Sequence, residues 1–145
     1  MKKIMLSVVL LLSFFSLQAQ KTSNIQMLEQ FYKNYFSSHR TGGDFTRLDS
    51  LVQSNCTPEF VQAWNEDVKD IGLYDPLTNG FCEDFDTMKN SLSIREEDNH
   101  YIVSFCYYTW PDKKKETESV IVYVNNKGKI SHTKRPSDGY MTPAL

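Results

Sequence analysis

The chain has 145 residues, with 16 Lys+Arg against 18 Asp+Glu and a formal net charge of −2. That balance leaves no basic face able to track a nucleic-acid backbone, which excludes nucleic acid as a partner class. Its length suits one domain with a core of its own.

The first twenty residues, MKKIMLSVVLLLSFFSLQAQ, begin with Lys2 and Lys3, continue as an apolar run from Ile4 to Leu17, and reach a small residue at Ala19. This is the layout of a cleaved secretory signal, and the run is shorter than the ~20 apolar residues that cross a bilayer. An uncleaved N-terminal anchor is the alternative. Residues 1–20 are read as a signal peptide, 21–136 as a single α+β domain, and 137–145 as a loosely ordered C-terminal tail. The leader holds two of the 16 basic residues and none of the acidic ones, which leaves 14 against 18. The protein is expected to be exported, periplasmic or secreted, without membrane contact after cleavage.

Ser23 with Gln26 three residues on matches a capping box. Ile25, Leu28, Phe31, Tyr32, Tyr35 and Phe36 then share one helical face, and Gly42-Gly43 ends the pattern. Leu48, Leu51 and Val52 predict a short second helix. Thr57-Pro58 supplies an N-cap and a first-turn proline, whose missing N–H costs no helical bond. Phe60, Val61, Trp64 and Val68 line this third helix, which Gly72 closes.

Beyond residue 86 the period changes from about 3.6 to 2. Met88, Leu92 and Ile94 predict a first strand, Tyr101 to Trp110 a long second, Val120 to Val124 a third and Lys129 to Arg135 a fourth. Asn125-Asn126-Lys127-Gly128 reads as the last hairpin turn. Helices followed by a meander predict an α+β fold, with the N-terminal helices packed on a curved antiparallel sheet of about four strands.

Three cysteines, Cys56, Cys82 and Cys106, allow one disulfide after export. Cys106 lies mid-strand, where a buried hydrophobe is the ordinary role, so Cys56–Cys82 is the preferred pair. Cys82–Cys106 and three free thiols stay open.

Chemical motifs are scarce. The chain has no Gly-x-Ser-x-Gly elbow, no His-x-x-x-His or Cys-x-x-Cys pair, and no glycine-rich phosphate loop. His39, His100 and His132 are dispersed and read as solvated surface, so no metal and no cofactor are expected. A cysteine–histidine pair would need the strands of Cys106 and His132 to be neighbours.

One stretch gathers charge: DPLTNGFCEDFD, residues 75–86, with Asp75, Glu83, Asp84 and Asp86 beside Phe81 and Phe85. A carboxylate against apolar walls makes a general base. Turn chemistry is the simpler reading, because Asp-Pro and Asn-Gly both favour turns. Asp84 is the side chain that separates the two: it faces a pocket or it caps a turn. Aromatics surround this stretch, and Tyr101 to Trp110 is apolar on both faces. Its outward face must therefore meet a C-terminal segment, a second subunit, or a ligand or partner protein.

The runs CTPEFVQAW, LYDPLTNGFCEDFD, YIVSFCYYTW and VIVYVNNKGKI resemble the secreted bacterial proteins grouped as domain of unknown function 3828. The resemblance spans roughly residues 25–135. It implies a nuclear-transport-factor-2-like, or cystatin-like, roll, in which helices and a curved sheet enclose a cone-shaped pocket. The leader ending in Ala-Gln resembles those of Bacteroidetes-type bacteria. Two positions depart from the family pattern: Glu83-Asp84 stands where Gln-Asp is frequent, and Lys129-Ile130 where an aromatic follows the glycine turn. No catalytic residue carries over, since the family has no established activity, and its wider superfamily mixes isomerases, cyclases and dehydratases with non-enzymes.

The sequence therefore points to a non-enzymatic ligand- or protein-binding domain, of inhibitor or immunity type among other forms, with homodimerisation open. Its candidate pocket or binding surface is Trp64, Tyr74, Phe81, Asp84, Tyr107 and Trp110. The alternative is a small isomerase- or cyclase-like enzyme with Asp84 as base and Tyr107 as donor.

Overall fold

The computed structural model describes residues 23–39, 45–71, 74–80, 84–109 and 111–143. Helix α1 occupies residues 23–39, followed by α2 (Phe45–Asn55) and α3 (Pro58–Asn65). Leu28, Phe31, Tyr32, Tyr35 and Phe36 of α1 are all buried, at the i, i+3, i+4, i+7, i+8 spacing that makes one stripe. Phe36 meets Phe105 edge to face at 5.3 Å, which seats the helix on the sheet. Leu48 and Val52 of α2 are buried. At the start of α3, Thr57 is extended (φ −75, ψ 156) and accepts the Phe60 N–H at 3.4 Å, with Pro58 in the first turn. Phe60 and Trp64 are that helix's core anchors. Past Asn65 the chain widens into a π-helical turn, Glu66–Ile71, where the sequence pattern reads as continued α-helix.

A fourth helix, α4 (Phe85–Asn90), precedes the sheet. Met88 belongs to it and not to the first strand, which begins only at Ser93. Met88 and Leu92 are four apart, a spacing that satisfies helical and strand periods alike, and the cap at Asp84 decides for the helix.

The sheet is an antiparallel meander in the order β1–β2–β3–β4–β5: β1 (Ser93–Glu97), β2 (His100–Tyr108), β3 (Lys115–Val124), β4 (Ile130–Lys134) and β5 (Met141–Thr142). The fold is thus α+β, with the helices leading and an open five-stranded sheet following. Strand β3 begins five residues before Val120, because Lys115 to Ser119 pair with Tyr108 to Ser104 of β2 although their side chains are polar. The C-terminal segment, expected to be loose, supplies β5, with Met141 and Thr142 pairing with Lys134 and Thr133. Gly139 at φ +76 makes the turn that returns it, and the Arg135 N–H donates to the Tyr140 carbonyl at 2.8 Å.

Alternation sorts the two faces of the sheet. Tyr101, Val103, Phe105, Val120, Val122 and Ile130 point inward and are buried against the helices. Trp64, Tyr32, Tyr35, Phe31, Phe36, Phe60 and Phe105 fill the layer between them, each at most 1% exposed.

Candidate functional site

The acidic turn is built inward. Asp75 is 5% exposed, and Pro76, Leu77 and Thr78 after it are buried too. Its Oδ1 accepts the Leu77 N–H at 2.9 Å, an Asx-type turn contact. Its Oδ2 accepts the Tyr35 hydroxyl at 2.9 Å and lies 3.1 Å from Thr78 Oγ1. Tyr35 in turn accepts the Trp64 indole N–H at 3.2 Å. One chain of bonds therefore ties α3 to α1 and α1 to the turn. Burial is the main cause that pushes the Asp75 carboxyl up to about 6, against the pull of these donors. The hydroxyl of Tyr32 is fully buried close by and finds no partner among the described residues.

Asn79, at φ 60, carries the turn onto the sheet, its amide donating to the Ser119 carbonyl at 2.6 Å and to Glu118 Oε1 at 3.2 Å. The Tyr74 hydroxyl donates to Asn79 Oδ1 at 3.3 Å. The Arg135 guanidinium lies 4.7 Å from the centre of the Tyr74 ring, and Tyr140 meets that ring edge-on at 5.4 Å.

Asp84 caps a helix. Its Oδ1 accepts the Thr87 N–H at 3.3 Å and its carbonyl accepts that of Met88 at 3.1 Å, the bonding of an N-cap of α4. Of the other residues singled out in sequence, Trp64 is core and Tyr74 is half-buried under Arg135. Tyr107 is half-buried on the inner side of β2 against the core. Phe81, Cys82 and Trp110 lie outside the described residues. None of the described members of the set lines either of the two grooves on the helical side. Of the preferred disulfide pair, Cys56 is a buried free thiol, pushed far up by burial, and so a poor nucleophile. Cys106 is also free, with Sγ 3.5 Å from Thr117 Oγ1. Strand β3 separates its strand from that of His132, which rules out the cysteine–histidine pairing.

Two grooves open on the helical side. One of about 640 Å³ runs along α3, past Cys56, Val61, Gln62 and Asn65; one of about 560 Å³ lies between α1 and α2, near Asn34, Arg47 and Leu51. Neither reaches Asp75 or Asp84. Among the described residues, no group of three His, Cys, Asp or Glu side chains is placed to hold a metal ion.

The outer face of the sheet carries a more ordered surface. Register aligns Glu97, His100, Tyr123 and His132 in one row across four strands. The rings of His100 and His132 stand 5.6 and 6.4 Å from that of Tyr123. The next row is Arg95, Ile102, Ile121, Lys134 and Met141, and the third is Ser93, Ser104 and Ser119. Ile102, Ile121 and Tyr123 are all only half-buried, while their inward neighbours Val103, Val120 and Val122 are sealed. Farther along β2, Tyr108 is 49% exposed opposite Lys115. The sequence marked the outward face of the second strand as needing a partner, but not the His100, Tyr123 and His132 row, because the histidines are scattered in the chain and only strand register brings them together. Strand alternation already placed His100 and Ile102 on one face, and that was the available signal.

No protein-family model, curated protein or solved structure matches the chain. No described helix is long and apolar enough to cross a membrane.

Proposed function

We propose that this protein is a non-enzymatic binding domain, exported after loss of its leader, whose outer sheet face docks onto an acidic surface of a partner protein. The observation that carries this reading is the half-exposed patch of Ile102, Ile121 and Tyr123 flanked by Arg95 and Lys134. An apolar centre inside a polar rim is the anatomy of a protein interface. The sign of that rim argues for an acidic partner. Arg95 and Lys134 flank the patch in the row of Ile102 and Ile121, and Lys115 lies farther along the same face. Among the described strand residues Glu97 is the acid on this face, in a chain whose acids outnumber its bases, 18 to 16. Glu97 is already engaged by Arg95 at 3.0 Å and His100 at 3.6 Å, while Lys115 and Lys134 form no ion pair among the described residues.

Two further observations support binding over catalysis. Asp84, the base on which an isomerase or cyclase reading would rest, holds a helix terminus, and Asp75 is sealed among core donors. The kinship to the domain of unknown function 3828 and its roll-like fold belongs to the same proposal, resting on the sequence runs alone.

The test is comparative affinity capture from the source cell, with wild type, Ile121→Glu, Lys134→Glu and Val61→Asp as baits. A partner that is lost with Ile121→Glu and Lys134→Glu, kept with Val61→Asp and released by salt fits the proposal. A partner lost only with Val61→Asp would move the site to the α3 groove and overturn it. A chain of doubled mass in place of a partner would make the face a self-interface, which also overturns it.

A further inference from the structure

The acidic turn holds an unusual account of protons. Thr78 has one hydroxyl proton and two acceptors in reach, the Gly80 carbonyl at 2.6 Å and Asp75 Oδ2 at 3.1 Å. The shorter contact takes the proton. An ionised Asp75 then faces the Thr78 oxygen acceptor to acceptor, whereas a neutral one donates to it. With the extra proton every link is filled: Trp64 N–H to Tyr35, Tyr35 O–H to Asp75, Asp75 O–H to Thr78, Thr78 O–H to Gly80, and Leu77 N–H to the other Asp75 oxygen.

The surroundings favour the same state. Tyr32 and Tyr35 of α1, Trp64 of α3, and Tyr74 and Thr78 of the turn itself face this carboxyl. All are uncharged at neutral pH, and no cation among the described residues forms an ion pair with it. A buried charge without a counter-ion is costly, so the group gains by taking a proton. The residue after Thr78 is Asn79, whose amide grips β3 at Ser119 and Glu118.

We propose that Asp75 is a proton-operated latch on the junction between helices and sheet, closed when its carboxyl is neutral and loosened when it ionises. A carboxyl raised from 3.8 to about 6 on folding gives the native state more bound protons between those values. Its stabilising contribution is complete below pH 3.8 and is lost as pH rises through 6. The junction is therefore tighter in mildly acidic surroundings than at neutral pH.

His39 works in the opposite sense, because burial lowers it and protonation below its ordinary 6.5 destabilises the fold. The test removes it with His39→Phe and measures urea unfolding at pH 5 and 7.5, with and without Asp75→Asn. The unfolding constant is expected to rise about tenfold more over that interval in the His39→Phe protein than in the double variant. Equal pH dependence in the two would overturn the latch. A carbon-13 carboxyl titration of the unsubstituted protein keeps the proposal testable if Asp75→Asn does not fold. The Asp75 carboxyl and the Asn79 side-chain amide should then move together with a midpoint near 6. A carboxyl midpoint at the ordinary 3.8, or an Asn79 amide that does not respond, would contradict it.

Discussion

The Tyr35 hydroxyl donates to Asp75 Oδ2 at 2.9 Å, joining two residues forty positions apart in the interior. Because Trp64 donates to the same hydroxyl, Tyr35 is the relay between a core aromatic and a buried acid. Removing it leaves the buried Trp64 N–H without its partner and takes one donor from Asp75. Tyr35→Phe is expected to cost about 1–3 kcal/mol in urea denaturation, the cost of leaving buried partners unmade. It should also move the Asp75 titration upward, since the carboxylate loses a donor. A variant as stable as wild type would mean that water replaces the hydroxyl.

Asp84 holds the first turn of α4. Asp84→Ala should cost about 1 kcal/mol and Asp84→Asn only a few tenths, measured by chemical denaturation, because both Asp and Asn accept an N-terminal backbone N–H. If Asp84→Asn proved as damaging as Asp84→Ala, charge and not capping would be the source of the effect.

His39 stacks on Phe85 at 4.6 Å with rings 10° apart and meets Tyr35 edge-on at 4.9 Å, its Nε2 without a partner among the described residues. Burial lowers its proton affinity, so the fold loses stability as pH falls below 6.5. His39→Phe keeps the stacking and removes the titration. Thermal melts should therefore show it gaining more over wild type at pH 5 than at pH 8. An equal gain at both values would place the effect in packing alone.

The two faces of the sheet should respond unequally to substitution. Phe105→Ala, on the sealed face, is expected to cost about 3–5 kcal/mol. Ile121→Glu, on the outer face, should cost about 1 kcal/mol or less, within the range of strand propensity. A cost for Ile121→Glu as large as that for Phe105→Ala would mean that the outer face is already covered within the chain.

How far the sequence carried differs by element. The stripe Leu28, Phe31, Tyr32, Tyr35, Phe36 and the Thr57-Pro58 start of α3 follow from local rules and are found as read. The long second strand and the turn before β4 are found too. Local rules fail where pairing or capping at a distance decides. Lys115 to Ser119 are polar, and only their bonds to β2 make them a strand. Met141 and Thr142 form β5 because β4 offers an edge. Met88 fits both periods, and Asp84 tips the balance. The site was harder still. The acids of residues 75–86 were visible, but that Asp75 turns into the core toward Tyr35 depends on a contact across forty residues. The row His100–Tyr123–His132 depends on the register of three strands, which no periodicity encodes.

Photo-cross-linking in the source cell tests the docking face most directly, with a benzophenone side chain placed once at position 123 and once at position 62 of the full chain. The account predicts an adduct with an acidic protein from position 123 and none from position 62. An adduct from position 62 alone, or a cross-linked pair of this chain from position 123, would contradict it.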